Sequence, residues 1–496
     1  MKKTFNRLPI NETLGYSGWL MALLLILATL SCKQVSEQGN NAPNIILLMA
    51  DDLGYGDVAY YGNPTVKTPN LDAMAGDGIR FDRFYAGAPV CSPTRGSCLT
   101  GRHPYRYGIP WAGRDPMPDT EITLAEALKT IGYSTGHFGK WHLGGLSKTV
   151  VQGEFPNGPS PYSPPWENGF DECFSTESMV PTYNPYYHVG GAFGQEDYRH
   201  VQTEAVEKGQ KHGGYVWRDR YWTGPGILVD EWQEGDDSEI IMNRALDFIQ
   251  RKGGQSSPFL AVVWFHTPHS PVVAGKVSRE SYSHLSMEKQ HWFGSITAMD
   301  EQIGRLRTYL RNSGLAENTI IWFCSDNGPS YIHDHNSAGP LRGKKAELFE
   351  GGIRVPAILE WPGEFPAPQI VDEPVSTSDF YPTLLAITQT AIEQQPELDG
   401  ENILPILYGK GNRDEPIAFI SPLPSRLKKH ETMEEEQFAL IDKQYKIISM
   451  DNGESFQLYD LINDEGEKTD QSEEEPEIYR SMQQQLLSWI ESVKSK

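Results

Sequence analysis

Carboxylate and amide side chains stand in two pairs that could hold a metal ion. Asp51 and Asp52 come directly after one apolar run of this 496-residue chain, and Asp326 and Asn327 come shortly after another. Oxygen ligands of this kind, with no thiolate beside them, suit Ca²⁺ or Mg²⁺. An Asp-Asp pair after a strand is also typical of a turn or a helix cap. On these four residues alone, both interpretations stay open.

A second candidate centre lies around Cys91, in the segment CSPTRGSCLTGR of residues 91–102. Cys91 lies in polar surroundings rich in Gly and Pro, whereas Cys324 lies in an apolar run typical of a buried thiol. A helix that begins at Pro93 would bring Arg95 back beside Cys91 and would add the positive charge of its N-terminus. The alternatives are a free loop thiol and an ordinary surface arginine.

Three unbroken apolar runs predict the strands that would position these residues. The runs cover residues 44–50, 259–264 and 319–323. Apolar runs without alternation are typical of strands buried on both faces of a helix-covered α/β sheet. Helical patterns lie between the runs, at residues 122–131 and 296–310. Polar residues follow each run, and ligands of open α/β sheets bind at the carboxyl ends of the strands.

The remaining chain divides into loops and a C-terminal part. Residues 155–222 are rich in Gly, Pro, Tyr and Trp without periodicity, which indicates long loops around a pocket. Short strand candidates and a final amphipathic helix at 478–493 predict a small antiparallel sheet with a helix. We therefore predict a catalytic domain at 43–410 and a C-terminal subdomain at 411–496. The strand candidates cover residues 438–441, 445–450 and 456–461.

Charge and cysteine content exclude several classes of protein. The formal net charge is −23, from 43 Lys and Arg against 66 Asp and Glu, so we expect no nucleic-acid partner. An anionic substrate would need positive charge supplied locally at its site. The five cysteines are too few and too scattered for a disulfide framework, and no Cys/His spacing is typical of zinc.

The N-terminus has the pattern of a targeting segment. Basic residues precede an apolar run at 19–30, which is short for a transmembrane helix, and Cys32 follows within a sequence that resembles a bacterial lipobox. We predict a leader at 1–32, lipidation of Cys32 and a polar tether at 33–42. Plain secretion and an uncleaved anchor are the alternatives. The expected location is the periplasm or the outer membrane, as a lipoprotein tethered there.

The segment around Cys91 resembles the signature of the type I sulfatases, a family of the alkaline phosphatase-like superfamily. The signature is C-x-P-x-R followed by L-T-G-R, and further motifs within residues 43–405 occur in the family's order. The likeness is to arylsulfatases and N-acetylgalactosamine sulfatases. It implies an α/β fold, with a large helix-flanked, mixed but mostly parallel sheet and a small C-terminal antiparallel sheet plus helix. The further motifs are NIILLMADDLGYGD (44–57), GKWHLG (139–144), PH (268–269), SDNGP (325–329), LRGKK (341–345) and EGGIRVP (350–356).

The resemblance implies that the protein hydrolyses sulfate esters with a modified cysteine. A formylglycine-generating maturation enzyme would oxidise Cys91 to Cα-formylglycine. One hydroxyl of the hydrated aldehyde would attack sulfur, expel the alcohol of the ester and form a covalent sulfo-enzyme intermediate. Loss of the proton from the other hydroxyl would then release sulfate and restore the aldehyde. The implied metal is Ca²⁺, with Mg²⁺ less expected. Its implied ligands are Asp51, Asp52, Cys91, Asp326 and Asn327.

The resemblance also implies roles for the cationic and titratable residues of the motifs. Arg95 would orient the diol, and Lys140 would contact the sulfate and the diol. Lys140 and His142 would share one side of an extended segment, with His142 as the base for sulfate release. His269 and Lys345 would bind sulfate and protonate the leaving oxygen.

The substrate itself is not encoded in these motifs, and we predict that the loops select it. Aromatic rings stack on sugar faces, and an arginine can pair with a second anionic group. A sulfated carbohydrate or polysaccharide is therefore the expected substrate. The candidate substrate-binding residues are Trp111, Arg114, Tyr183, His333 and His335.

Two other functions stay open on the sequence. A relative in the same superfamily could hydrolyse phosphate or phosphonate esters, because tetrahedral anions differ little in shape. A glycan-binding lipoprotein with an unmatured Cys91 would be catalytically silent. Among the residues with no role implied by the resemblance, His266 is expected in the core or behind the site. Arg342 is expected either beside Glu350 or at the pocket.

Overall fold

Strands and helices alternate along the chain. The computed structural model describes residues 42–113, 115–150, 159–188, 215–216, 219–231, 233–255, 257–330, 335–430 and 434–495. The strands are β1 (Asn44–Ala50), β2 (Ile79–Phe81), β3 (Phe84–Tyr85), β4 (Ser134–Lys140), β5 (Glu172–Thr176), β6 (Tyr187–His188), β7 (Tyr215–Val216), β8 (Trp222–Gly224), β9 (Ile227–Leu228), β10 (Phe259–Trp264), β11 (Thr319–Ser325), β12 (Ala357–Glu360), β13 (Gln369–Val371), β14 (Val375–Ser376), β15 (Ile417–Pro422), β16 (Glu436–Asp442), β17 (Tyr445–Ser449) and β18 (Gln457–Asp460). The α-helices are α1 (Pro69–Asp77), α2 (Cys91–Thr100), α3 (Pro104–Tyr107), α4 (Leu124–Lys129), α5 (Asp237–Gly253), α6 (Lys276–Glu280), α7 (Met287–Asn312), α8 (Glu350–Ile353), α9 (Phe380–Thr388), α10 (Leu404–Leu407) and α11 (Pro476–Lys494). Among these residues, none of the helices combines the length and the apolar character needed to cross a membrane.

Ten strands of the described residues form one large mixed sheet. Its order is β13-β2-β12-β11-β1-β10-β4-β5-β8-β9. The central strands β11, β1, β10, β4 and β5 are parallel to one another. Next to this parallel group, β12 runs antiparallel to β11, and β8 runs antiparallel to β5. The predicted α/β class, with a mixed but mostly parallel sheet, is confirmed.

The central strands are buried on both faces, as their unbroken apolar sequences predicted. Every residue of β1, β10 and β11 is buried. Helices α5 and α7 pack one apolar face each into the core, with buried residues that include Ile241 and Phe248 from α5 and Ile303 from α7. Burial of one such side chain stabilises the fold by roughly 1.5–3 kcal/mol. The sheet is therefore a rigid base whose strand ends hold the site.

The predicted elements differ from the observed ones mainly at their ends. β1 and β10 have the predicted bounds, whereas β11 continues to Ser325. The helix predicted at 122–131 is shorter, because Thr123 caps its start and accepts a hydrogen bond from the Glu126 amide (3.2 Å). The loop prediction for 155–222 is wrong at β5, which is a strand of the main sheet. A buried five-residue strand has no periodicity to reveal it, and its pairing with β4 is a tertiary contact.

A four-stranded antiparallel sheet and the last helix form the C-terminal part, as predicted. The order is β15-β16-β17-β18. One face of this sheet packs on α11, and the other packs on residues of the catalytic part that include Tyr85 and Phe349. The predicted list of strand candidates missed β15. The predicted domain boundary between residues 410 and 411 stays a prediction.

A buried ion cluster joins this small sheet to the catalytic part. Lys446 of β17 is fully buried, and its Nζ lies 3.0 Å from Glu350 Oε1 and 2.9 Å from Glu467 Oε1. Burial raises the pKa of Glu467 to about 7. Burial acts in the same direction on Glu350, but the charges of Lys446 and Arg354 outweigh it and lower the pKa of Glu350. Arg342 lies at the same junction. The sequence left open whether it lies beside Glu350 or at the pocket, and its guanidinium donates to the Tyr459 hydroxyl (3.0 Å) and not to Glu350.

We predict that Lys446→Met destabilises the protein, because it leaves Glu467 buried without its cation and leaves Glu350 with the more distant Arg354 (3.7 Å). Removing one partner of a buried ion pair typically costs about 3–5 kcal/mol of unfolding free energy. Urea unfolding would measure the loss. The matched control is Lys429→Met, since Lys429 makes a solvent-exposed pair with Asp451 and Glu454 and its loss is expected to leave the unfolding midpoint unchanged. Equal midpoints for the two variants would contradict a stabilising role for the buried cluster.

Candidate active site

The parallel strands end at one edge of the sheet, and the predicted site residues follow them there. Asp51 follows β1, Lys140 closes β4, His269 lies five residues after β10, and Asp326 follows β11. Backbone hydrogen bonds join these ends: the Asp51 amide donates to the Thr267 carbonyl (2.9 Å), and the Asp326 amide donates to the Ala50 carbonyl (3.1 Å). The convergence predicted from the motifs is therefore a consequence of parallel register.

Helix α2 begins at Cys91 itself, two residues earlier than predicted. Val90 precedes it in an extended conformation, and all residues of α2 are buried. Cys91 therefore lies in the first turn, where unpaired amide groups create positive potential. Burial raises the pKa of the Cys91 thiol, although the charges of Lys140 and Lys345 act against it.

Arg95, one turn along α2, links two strand ends and is fully buried. Its Nε and Nη2 donate to Asp326 Oδ2 at 3.1 and 2.6 Å, and its Nη1 donates to the Lys140 carbonyl at 3.1 Å. Lys140 Nζ in turn donates to Asp51 Oδ2 at 2.6 Å. Burial would lower the pKa of Lys140, but the Asp51 carboxylate outweighs it and raises that pKa, so the ammonium keeps its proton.

Asp52 is held in a left-handed conformation (φ 66°) that turns its side chain toward a second cation. Its amide donates to Asp326 Oδ1 (3.1 Å), and its Oδ1 accepts from Lys345 Nζ (2.5 Å) and from Asn327 Nδ2 (2.8 Å). Burial would raise the pKa of Asp52, but Lys345 and His269 outweigh it and lower that pKa. Asp52 is therefore a carboxylate at neutral pH.

Two buried oxygens of this cluster have no hydrogen-bond partner. They are Asp51 Oδ1 and Asn327 Oδ1. Ligand atoms of Asp51, Cys91 and Asp326 lie within 4.8 Å of one another. Buried polar atoms without partners are costly, and a hard divalent cation is the ligand that such oxygens fit. The residues present therefore fit a calcium or magnesium ion, as the donor types predicted.

The two predicted catalytic histidines both lie at the site. His269 Nδ1–H donates to the Ser270 carbonyl (2.7 Å), which directs Nε2 toward Asp52 Oδ2 at 3.8 Å. His142 adopts a left-handed conformation (φ 55°), so the prediction that it continues the extended segment of Lys140 is wrong. Its amide is held by the Glu177 carbonyl (2.9 Å). Burial lowers the pKa of both imidazoles well below the usual range, and neighbouring lysines add to this effect.

Asp57 supports the loop after β1, which carries Asp51 and Asp52, and was missed by sequence reasoning. It accepts from the Gly54 amide (3.0 Å) and from Trp292 Nε1 (3.1 Å), and so ties the loop after β1 to helix α7. Burial raises the pKa of Asp57 to about 7. Its carboxylate accepts from the amide of the residue three positions earlier, and an acidic residue at this position in the first turn of a helix is the signal that could have found it.

The predicted substrate-binding residues are spread over several elements. Trp111 is half-buried in a bend, and Tyr183 pairs with Asp236 before α5. His335 is buried against the Trp292 ring (centroids 5.3 Å apart) and borders a cavity of about 550 Å³ with Tyr55. Arg114 and His333, like Cys32, lie outside the described residues.

Sequence comparisons place most of the chain in one family. A family model described as Sulfatase matches residues 43–390, and a model described as N-sulphoglucosamine sulphohydrolase, C-terminal, matches residues 344–496. N-acetylgalactosamine-6-sulfatase of Canis lupus familiaris is 32% identical over 425 residues, which cover 81% of this chain and 72% of that protein. Arylsulfatase G of the same species is 30% identical over 424 residues, 79% of this chain and 74% of its own.

Solved structures agree with this placement. Ps i-CgsB in complex with k-i-k-neocarrahexaose is 26% identical, with a TM-score of 0.73 over 90% of this chain and 92% of that one. A Bacteroides thetaiotaomicron protein, from a locus that orchestrates the metabolism of multiple glycosaminoglycans, is 27% identical, with a TM-score of 0.69 over 92% of this chain and 100% of its own. The chain therefore belongs to the sulfatase family, with an alkaline phosphatase-like fold, and is a sulfuric ester hydrolase.

Proposed function

We propose that this sulfatase hydrolyses sulfate esters of a sulfated carbohydrate, with a formylglycine derived from Cys91 as its nucleophile. The observation that carries the proposal is the buried cluster of three carboxylates and three cations around the first turn of α2, with two oxygens left unpaired. Cys91 is present as the unmodified thiol. Its Sγ stands where an oxygen of the hydrated aldehyde would lie.

Lys140, Lys345 and His269 are the groups that we assign to the sulfate. The two ammonium groups approach the carboxylates of Asp51 and Asp52 from β4 and from the 341–345 segment, and the charges of both act on Cys91. Burial would lower the pKa of Lys345, but Asp52 outweighs it and raises that pKa, so the charge persists. Fixed charges in a water-poor site stabilise an anion without reorganisation.

Asp51, Asp52, Asp326 and Asn327 would hold the metal, which we propose to be calcium. When bound, the ion supplies Lewis-acid charge stabilisation at a sulfate oxygen and at the nucleophile. Arg95 keeps Asp326 in place from α2, and the left-handed turn at Asp52 presents both neighbouring carboxylates to one centre. The side chains thus position the donors before any ligand arrives.

The two histidines are the groups that we assign to proton transfer. His269 Nε2 is the free ring nitrogen, since Nδ1 is held by the Ser270 carbonyl. An anion bound beside this neutral imidazole raises its pKa, which favours the protonated form needed to donate to a leaving oxygen. His142, held neutral by burial, is suited to accept a proton during sulfate release.

The substrate class and the location rest on the relatives and on the leader. A relative named for N-acetylgalactosamine 6-sulfate and a structural neighbour with a bound carrageenan oligosaccharide favour a sulfated glycan. Phosphonate monoester hydrolase of Agrobacterium radiobacter, at 22% identity and a TM-score of 0.63, shares the fold alone. We propose export through the leader, tethering at Cys32 and maturation of Cys91 by a formylglycine-generating enzyme.

We predict that Cys91→Ser abolishes steady-state sulfate release. Serine cannot form a geminal diol, so a sulfate ester formed on it could be released only by attack of water. Ion chromatography of sulfate from 4-nitrophenyl sulfate would measure it, with phosphate release from 4-nitrophenyl phosphate as the competing reaction. Peptide mass spectrometry would show whether residue 91 of the active enzyme is an aldehyde. Sustained turnover by the serine variant, or faster release of phosphate than of sulfate, would contradict the proposal.

We predict that chelation removes activity and that Ca²⁺ restores it better than Zn²⁺. Asn327→Leu removes one of the two unpaired oxygens, and we expect it to weaken Ca²⁺ binding measured by isothermal titration calorimetry on the folded protein. Asn44→Leu is the matched control, because Asn44 is buried at the opposite end of β1 and bonds Thr319. Equal calcium affinity in the two variants would show that the Asn327 oxygen does not bind the metal.

We predict that changes at the sulfate lower kcat for a glycan, whereas changes in the loops raise its KM, and that a small aryl sulfate is affected less by both. His269→Ala should lower kcat for a glycan sulfate far more than for an aryl sulfate, because only the sugar alcohol needs a proton as it leaves. Trp111→Ala and Tyr183→Ala should raise KM for the glycan and leave the small aryl sulfate unaffected. Steady-state kinetics on both substrates would decide. Equal losses on both substrates would show that His269 does not donate the proton, or that the loops support the core.

A further inference from the structure

A hydrogen-bonded chain of buried side chains lies directly behind the proposed sulfate site. His266 is fully buried, and its Nδ1 and Nε2 lie 2.7 Å from Asp237 Oδ2 and 2.7 Å from Thr176 Oγ1. Asp237 Oδ1 also accepts from the Tyr221 hydroxyl at 2.5 Å. These hydrogen-bonded side chains therefore connect β5, the segment after β10 and the start of α5.

His266 and Thr176 each contact the backbone beside a residue that we assign to sulfate hydrolysis. The His269 amide donates to the His266 carbonyl at 2.7 Å, so the backbone of His266 fixes the turn that carries His269. Thr176 pairs with Lys140 in the register of β4 and β5. Its carbonyl accepts from the Trp141 amide at 3.0 Å, between Lys140 and His142 in the chain.

The hydrogen-bond pattern fixes how the imidazole is used. A carboxylate only accepts hydrogen bonds, so we assign the proton of His266 to Nδ1, donating to Asp237. Nε2 then accepts from the Thr176 hydroxyl. The ring acts as a spacer of fixed length between the end of β5 and the start of α5, and neither of its nitrogens is free for substrate.

We propose that His266 and Thr176 are positioning residues that hold His269 and Lys140 in mutual register across the sulfate. The inference rests on the proposed function of that site. Loss of the Thr176–His266 bond lets the turn with His269 move relative to the end of β4. A displacement of about 1 Å at reacting groups can cost about 100-fold in rate, even when the altered residue does not touch the substrate.

Ser175 supplies a matched control on the neighbouring position of the same strand. His137 Nδ1 and Ser175 Oγ lie 2.7 Å apart, and both residues are fully buried. Successive residues of a strand point to opposite faces, so this second pair lies on the other side of the sheet from Thr176 and His266. Ser175→Ala removes a buried histidine–hydroxyl bond of the same kind without touching the chain behind the site.

The test compares Thr176→Val, Thr176→Ser and Ser175→Ala in the matured, calcium-loaded enzyme. We expect Thr176→Val to lower kcat on phenyl sulfate by about 10-fold to 100-fold, and on 4-nitrophenyl sulfate by less, because the better leaving group needs less help from His269. Thr176→Ser keeps the hydroxyl and should restore both rates. Ser175→Ala should keep the wild-type ratio of the two rates, even where its melting temperature falls. The ratio does not depend on the fraction of folded enzyme, so a merely structural role would not move it.

A second readout separates this inference from the proposed function. Calorimetric binding of inorganic sulfate should weaken in Thr176→Val and in His266→Asn, which keeps a donor for Asp237 and loses the acceptor for Thr176. If the wild type releases no sulfate from either ester, the proposed function fails, and sulfate affinity alone then decides the positioning role. The inference would be overturned if folded Thr176→Val kept the wild-type rate ratio or the wild-type sulfate affinity. If the valine variant does not fold, the same measurements on folded His266→Asn decide.

Discussion

Six ionisable side chains share one buried site, and their mutual neutralisation is the constraint on which the rest of the structure depends. Asp51, Asp52 and Asp326 are almost completely excluded from water, as are Arg95 and Lys140. The effective cost of burying one ion is several kcal/mol, so each charge must meet an opposite charge at close range. The three carboxylates meet Arg95, Lys140 and Lys345 at 2.5–2.6 Å. Any change in the sheet that moves one strand end breaks this pairing.

The sheet meets this constraint because its central strands are parallel. Parallel strands deliver their carboxyl ends to one edge, which brings Asp51, Lys140 and Asp326 together from three separate segments of the chain. Helix α2 then adds Arg95 from a fourth segment. Cys91 lies in the first turn of that helix, and Arg95 lies one turn further along, where it pairs with Asp326. The Arg95–Asp326 ion pair thus anchors α2 one turn away from Cys91.

The sequence allowed much of this to be predicted, and what it missed was tertiary. The apolar runs of β1 and β10 gave their bounds directly, because burial on both faces leaves an unbroken pattern. The motif residues could be assigned to one site because their motifs resemble those of the type I sulfatases, and because Asp51, Asp52, Asp326 and Asn327 follow predicted strands. By contrast, β5 is a short strand identified by its pairing with β4, and the left-handed turn at His142 leaves no pattern in its neighbours. Their positions depend on contacts between distant segments, which local sequence patterns do not reveal.

The overall charge of the chain limits how this site could attract an anionic ester. At a net charge of −23, the field of the whole protein repels an anionic ester, so attraction must come from short-range contacts. Lys140 and Lys345 are already paired with Asp51 and Asp52, and three carboxylates against three cations leave the cluster without net positive charge. A divalent cation at Asp51 Oδ1 and Asn327 Oδ1 would change that balance in favour of an anion. The unpaired oxygens are therefore the feature through which a bound metal ion would favour a bound anion, and full internal pairing of the cluster would leave no oxygen for that ion.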